Sequence, residues 1–177
     1  MRVIAGSLGG RLFDSPHSHR THPMSDRVRG ALFGTLGDIV GLTVLDAFAG
    51  TGALGFEAVS RGASSALLIE YDMLAQRTID ENIELLGLQE QVHLMKANAI
   101  GWSNKNRSTT FDLVLADPPF DKIQTIAVEK LGRHVAVGGL FVLCWPGIER
   151  LPAMPHMELV EHKRYGDAQL GFYRHSD

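Results

Sequence analysis

The sequence predicts an α/β protein: a mostly parallel sheet wound on both faces, with a small β-hairpin and helix ahead of it and an antiparallel hairpin at its C-terminal end. Three observations predict this. From residue 43 onwards, short apolar runs alternate with stretches of helical period, the pattern of strands joined by helical crossovers. One run leads through a glycine-rich turn straight into a helical stretch, as in Rossmann-like sheets. The last two runs are joined through Gly166-Asp167, a connection too short for a crossover and suited to a hairpin.

Taken in order, Arg2 to Ala5 and Arg11 to Phe13 flank a turn from Gly6 to Gly10, which predicts the first hairpin. Ser25 is placed to N-cap a helix whose Val28, Leu32 and Leu36 share one face. The main sheet follows as strand 43–47, helix 53–61, strand 66–70, helix 73–87, strand 91–95, strand 111–116, helix 122–134, strand 138–145 and the pair 157–164 and 168–174. Ile79, Ile83 and Leu86 fall on one helical face and read as core. No element is predicted between residues 95 and 111, and the Ser-, Asn- and Thr-rich stretch from Ser103 to Thr110 reads as an exposed loop that faces substrate.

With 177 residues and 45% hydrophobic content, the chain suffices for one domain with a sizeable core. We divide it into an extension, 1–37, and a main domain, 38–177. No apolar run approaches the roughly 20 residues that span a bilayer, and the N-terminus has no apolar leader stretch, so a cytoplasmic location is expected. Cys144 is the single cysteine and sits in the apolar run Leu140 to Trp145. A buried strand position is expected for it, with no chemistry.

Charge is unevenly divided. Residues 1–37 carry +3, from Arg2, Arg11, Arg20, Arg27 and Arg29 against Asp14 and Asp26, whereas the whole chain carries −3. His17, His19 and His22 lie in the same segment. This makes the extension the expected surface for nucleic-acid phosphates, through Arg11, Arg20, His22, Arg27 and Arg29. No metal is expected at the histidines, which lack a nearby cysteine or a fixed scaffold.

In the segment Val44 to Gly55 a strand ends in Asp46, and Gly50, Gly52 and Gly55 satisfy GxGxxG. Such glycines let backbone approach a ligand, and the helix beyond offers free N–H groups to a carboxylate or phosphate. A dinucleotide site has the same features, with Glu70 at the distance of a ribose-binding acid. Asp46 separates the two readings, because a carboxylate ahead of the glycines repels a pyrophosphate and attracts an ammonium. S-adenosylmethionine (SAM) fits better, with its amino group on Asp46, its carboxylate on loop N–H groups and its ribose diol giving two hydrogen bonds to Glu70. Further along, Asp117-Pro118-Pro119-Phe120 closes the strand from Phe111. Two prolines remove two donors, so the turn presents the Asp117 carboxylate and the Pro118 carbonyl beside an aromatic ring, a clamp for a planar amine. Asp46, Glu70, Asn98 and Asp117 all fall at predicted strand ends, where ligands of such sheets bind.

The stretches Met1 to Gly6, Gly10-Arg11, Pro23, Ser25 to Arg29, Ala31-Leu32-Phe33, Asp46 to Gly55, Ser60 to Ala63 and Tyr165-Gly166-Asp167 together resemble the bacterial 16S rRNA (guanine-N2)-methyltransferase family D. The resemblance implies a class I SAM-dependent methyltransferase sheet and methyl transfer to the N2 amine of a guanine swung out of its stack. It further implies 16S rRNA in an assembled small ribosomal subunit as partner, a monomer, and no metal or membrane. It carries Asp117, Pro118, Pro119 and Phe120 as the catalytic group, and Asp46, Phe48, Gly50, Thr51, Gly52, Glu70, Tyr71, Asn98 and Ala99 as the cofactor site. Three positions depart from the family. His22 stands for an Arg, Gly30 for a frequent Glu, and Asn98 for an Asp expected to accept the adenine amino group. The residues alone leave adenine N6, cytosine N4 or a glutamine amide open as targets. A dinucleotide-dependent oxidoreductase and a non-catalytic SAM- or RNA-binding module are the readings from other classes.

Overall fold

The computed structural model describes residues 1–16, 23–120 and 125–176. Its elements run α1 (Asp26–Leu36), β1 (Thr43–Asp46), α2 (Ala53–Ser60), β2 (Ser65–Glu70), α3 (Met73–Leu86), β3 (Val92–Lys96), α4 (Ala99–Lys105), β4 (Phe111–Ala116), α5 (Thr125–Gly132), β5 (Val135–Pro146), β6 (Met157–Tyr165) and β7 (Ala168–His175). They form one seven-stranded sheet in the order β3-β2-β1-β4-β5-β7-β6. The first five are parallel, and β7 and then β6 are added antiparallel. Strand order reverses between β1 and β4, so the crevice beyond their carboxyl ends is where such a sheet binds ligands.

Local sequence explains the elements that frame this crevice. α3 starts at Asp72, whose carboxylate accepts from the Leu74 and Ala75 N–H groups, and stops at Gly87 with φ 72°. Its Ile79, Ile83 and Leu86, the stripe read from the periodicity, are buried, and Ala75 extends it. Ser25 caps α1 as expected, accepting from Val28 N–H at 3.3 Å. All eight residues of α2 are buried, because the helix lies between the sheet and the N-terminal extension.

That extension is not a loose arm. Arg2 and Leu12 form an antiparallel bridge, and Val3 and Phe13 belong to the same core cluster as Phe56, Leu68 and Leu115. Phe13 meets Phe56 edge-on at 5.4 Å. The Glu57 carboxylate of α2 accepts from Ile4 N–H at 2.8 Å and Ala5 N–H at 3.1 Å. Gly6 backs onto Ser60, where a Cβ would fall within 1.8 Å of the Ser60 carbonyl oxygen. Gly30 is under no such constraint: a Cβ there would stand 3.8 Å from Ile4 Cδ1, an ordinary contact, and nothing in the structure explains the glycine.

One expectation fails in part. Residues 99–105 form a helix, so the exposed loop begins at Asn106 and not at Ser103, and residues 107–110 are exposed as expected. Asn98 caps this helix, Trp102 is buried against Phe111 and His134, and Ser103 is fully buried beside His134 Nε2 at 2.8 Å. Of the polar stretch, Ser103 alone is drawn inward, next to Trp102. β5 also begins three residues earlier than predicted, and α5 is described over Thr125–Gly132 instead of 122–134.

Candidate active site at the carboxyl edge of the sheet

β1 delivers Asp46 to the crevice at full burial. One carboxylate oxygen, Oδ2, accepts from Gly55 N–H at 3.2 Å, while Oδ1 has no partner; the Phe48 N–H lies near without completing a bond. Burial, Asp117 and Glu70 push the Asp46 carboxyl up to about 7. The turn beyond it is shaped by glycines for two different reasons. Gly50 and Gly52 sit at φ 55° and 79°, where Cβ is disfavoured, and a Cβ on Gly52 would meet the Phe56 ring at 2.7 Å. Gly55 is required by packing, since its Cβ would meet Leu68 Cδ1 at 2.4 Å. Thr51 is buried, with Oγ1 accepting from Ala53 N–H at 3.3 Å, and Phe48 packs partly buried against the second core cluster.

Glu70 ends β2 and folds back over this turn. Its Oε2 accepts from Gly50 N–H at 2.8 Å, and Oε1 from Tyr71 N–H at 2.8 Å and Asp72 N–H at 2.7 Å. A carboxylate has about four acceptor positions, so one remains for a diol in this arrangement, not the two expected. Tyr71 beside it is 59% exposed, a free ring at the rim. Asn98 is likewise committed. Its Oδ1 accepts from Ile100 N–H at 3.0 Å and Gly101 N–H at 3.1 Å, which leaves the amide NH2, a donor, as its free face. The expected acceptor for an adenine amine is therefore used by the helix. Ala99 is buried behind it. A groove of about 310 Å³ lined by Met95, Ala97, Asn98, Gly101, Trp102 and Lys105 runs along α4 beside the edge strand, away from the β1–β4 switch.

Asp117 stands one residue past β4, with Pro118 buried and Pro119 and Phe120 exposed, the Phe120 ring at 41%. Asp117 retains partial solvent access, yet desolvation of its carboxyl raises it to about 6, against a smaller lowering by the Cys144 thiol. Two acids in a poorly solvated crevice, one with an unpartnered oxygen, make a site for a cation bearing N–H donors.

The residues expected to meet nucleic acid divide sharply. Arg27 is exposed and has no ion pair among the described residues. Arg29 is a correction: its side chain is fully buried, with Nη2 donating to Asp26 Oδ1 at 2.9 Å and to the Arg2 carbonyl at 2.6 Å, and Nε 3.9 Å from Glu57. It faces inward and offers nothing to a phosphate. Arg11 donates through Nη2 to the Leu85 carbonyl at 2.7 Å and through Nη1 to that of Leu86 at 3.2 Å, closing the C-terminus of α3. Arg20 and His22, with His17 and His19, lie outside the described residues. Among the described residues no group of three His, Cys, Asp or Glu side chains is placed to hold a metal, and no helix is long and apolar enough to cross a membrane.

Sequence reasoning missed Glu57, whereas the buried strand position expected for Cys144 is what the structure has. Glu57 forms an i,i+4 ion pair with Arg61 at 2.7 Å, a spacing visible in the sequence, but its burial under the hairpin is a tertiary fact. Cys144 comes to the site through strand pairing alone.

This sheet order, the acid-terminated first strand, the glycine turn and the Asp-Pro-Pro-Phe edge together define an α/β class I SAM-dependent methyltransferase fold. The Escherichia coli protein YhhF, a presumptive methyltransferase, superposes with a TM-score of 0.90 at 31% identity, over 99% of this chain and 98% of that one. The chain belongs to the family described as conserved hypothetical protein 95, whose family model matches residues 1–174. Curated relatives named ribosomal RNA small subunit methyltransferase D include those of Escherichia coli K12, 38% identical over 121 residues, and of Buchnera aphidicola from Acyrthosiphon pisum, 32% identical over 119. The matched stretches cover 68% and 67% of this chain but only 60% and 62% of those relatives.

Proposed function

We propose that the chain transfers a methyl group from SAM to the exocyclic N2 of a guanine in 16S rRNA of the small ribosomal subunit, acting as a monomer. One observation carries the cofactor assignment: Asp46 Oδ1 is a buried acceptor without a donor, at the head of a turn built for close backbone approach. A buried charge without a partner is unfavourable, and the ammonium of a methionine moiety supplies that partner. Gly50, Thr51 and Gly52 with the N-terminus of α2 fit its carboxylate, and the last acceptor position on Glu70 fits a ribose hydroxyl. Phe48, Tyr71, Asn98 and Ala99 line the adenosyl end, Asn98 offering its amide N–H groups there. Names of the curated relatives support the substrate class, ribosomal RNA of the small subunit; the choice of guanine over other planar amines rests on the family resemblance read from the sequence.

When bound, the sulfonium supplies an electrophilic methyl carbon with a good leaving group. The protein's part is to hold the amine and remove its proton. Phe120 offers an exposed ring for the swung-out base, and Asp117 with the Pro118 carbonyl accepts the two amine hydrogens. This turns the nitrogen lone pair outward and stabilises charge developing on nitrogen. Asp117 then takes the proton, a role suited to a carboxyl raised toward neutrality. Arg27, Arg11, Arg20 and His22 are proposed to meet RNA; Arg29 supports the extension from inside.

The test is label transfer from methyl-labelled SAM to undermethylated small subunits, with the product located by mass spectrometry of digested rRNA. Label on guanine N2 supports the reading. Label on another base or on protein, or binding without transfer, replaces it with one of the alternatives. Asp117→Ala is expected to lower transfer by at least about 100-fold while SAM affinity stays within a few-fold.

A further inference from the structure

Cys144 is the chain's only cysteine, and no step above uses it. The β4–β5 register sets Leu115 beside Val142 and Ala116 beside Leu143. One residue further, Asp117 comes level with Cys144, and the alternation of parallel strands turns both to the face that carries Leu115 and Val142. Asp46, paired with Leu115 from β1, looks out on the same face. Cys144 is 6% exposed, flanked on its other side by Leu170 of β7, and sits near enough to the Asp117 carboxyl for each to act on the other's ionisation.

We infer that Cys144 is a positioning residue for Asp117: from the neighbouring strand its thiol donates S–H to the carboxylate and fixes the orientation in which that acid meets the incoming amine. The inference rests on the amino-methyltransferase reading above. The two prolines after Asp117 have no N–H to give it, so the orienting donor must come from elsewhere, and the adjacent strand brings one. A thiol is a weak donor, but a partly desolvated carboxylate makes any donor count for more. Its proton is also secure. Burial, Asp117 and Asp167 of the β6–β7 turn all push the thiol's ionisation above the usual range, so Cys144 stays an S–H donor throughout the working pH range. The charged groups near the pair are thus both acids, Asp46 from β1 and Asp167 from the turn. Without the thiol, Asp117 is held protonated to higher pH and turns more freely.

Single-turnover methyl transfer to undermethylated subunits at saturating SAM, from pH about 5 to about 8.5, compares wild type with Cys144→Ala, Cys144→Val and Cys144→Ser. Transfer rises with pH as Asp117 ionises. Removing a donor that favours the ionised form moves this limb to higher pH, and about a tenfold loss is expected below it in the Ala and Val variants. Ser, a stronger donor of similar size, keeps the wild-type rate and moves the limb to lower pH. SAM affinity by calorimetry is expected to stay the same in all four proteins. Superimposable profiles, or a uniform loss without movement of the limb, overturn the inference. Should wild type transfer no label, the amino-methyltransferase reading is what fails. The carbon NMR titration of Asp117 in wild type against Cys144→Ser then decides the contact by itself: a lower midpoint in the Ser variant upholds it, and an equal one refutes it.

Discussion

Single side chains at the crevice carry opposed demands of solvation and charge, and Asp46 shows the consequence most directly. Its carboxyl, raised to about 7 by burial first and by Asp117 and Glu70 after it, binds an ammonium only when ionised. SAM affinity is expected to rise as pH increases through about 7, with proton release detected by calorimetry in buffers of different ionisation enthalpy. The stability sign is the reverse. A folded value above the unfolded 3.8 means that the ligand-free fold binds the extra proton, so this acid favours folding below about pH 4 and loses that contribution as pH rises through 7. Asp46→Asn, which keeps an acceptor for Gly55 N–H, should raise ligand-free stability at pH 8 by on the order of 2 kcal/mol while weakening SAM binding at least about 100-fold. Equal melting temperatures for the two proteins at pH 8 would contradict this. At this scale residue identity was legible and bonding state was not. Spacing placed Asp46, Glu70, Asn98 and Asp117 at strand ends, but Gly50 N–H reaches Glu70 only in the fold, and Asn98 is committed by the first turn of a helix the sequence did not announce. Arg29 was misread for the same reason: a charge run looks solvated until Asp26 and Glu57 are seen around it.

Among the elements, α4 is held to its neighbours by one histidine. His134 Nδ1 lies 2.7 Å from the Thr109 carbonyl and Nε2 2.8 Å from Ser103 Oγ, with the Trp102 ring centroid 4.8 Å away and tilted by 46°. Desolvation holds its pKa below 6.5, against a raising bond to Thr109. A depressed histidine is protonated more readily when unfolded, so this clamp contributes fully above about pH 6.5 and weakens as pH falls below it. Acid loosening should start in α4 and residues 106–110. Hydrogen exchange at pH about 5.5 against 7.5 checks this, the prediction failing if those amides keep their protection. The sequence hid α4 because seven residues whose two large apolar side chains, Ile100 and Trp102, stand two apart give no helical period to read, whereas α3, with four apolar core positions over fourteen residues, was legible nearly to the residue. For α1, the two arginines once read alike now separate. Arg27→Ala should weaken binding to small subunits and reduce its salt slope by about one with little loss of stability. Arg29→Ala should cost about 3–5 kcal/mol in thermal or denaturant unfolding, since Asp26 and Glu57 lose a buried partner.

For the molecule as a whole, the decisive feature is that the extension and the sheet share one core. The alternation of apolar runs made the doubly wound sheet and its closing hairpin legible; the seating of residues 1–13 was not, since nothing local announces that Glu57, fifty residues on, will satisfy their backbone. Glu57→Gln keeps the shape but turns an amide toward the Arg61 guanidinium or the hairpin N–H groups. It is expected to destabilise the fold by about 2–4 kcal/mol and to release residues 1–8 to fast hydrogen exchange. A variant that melts with wild type and keeps these amides protected would show that the hairpin is held by its apolar contacts alone. The same helix starts at the glycine turn and ends at Ser60, whose Oγ is bonded to Ala5 O and Leu8 N. During synthesis the first strand pair leaves the ribosome long before α2 exists to receive it. Residues 1–13 therefore reach their place only once α2 has formed, and a nascent chain halted before residue 60 holds Val3 and Phe13 without the full core that buries them.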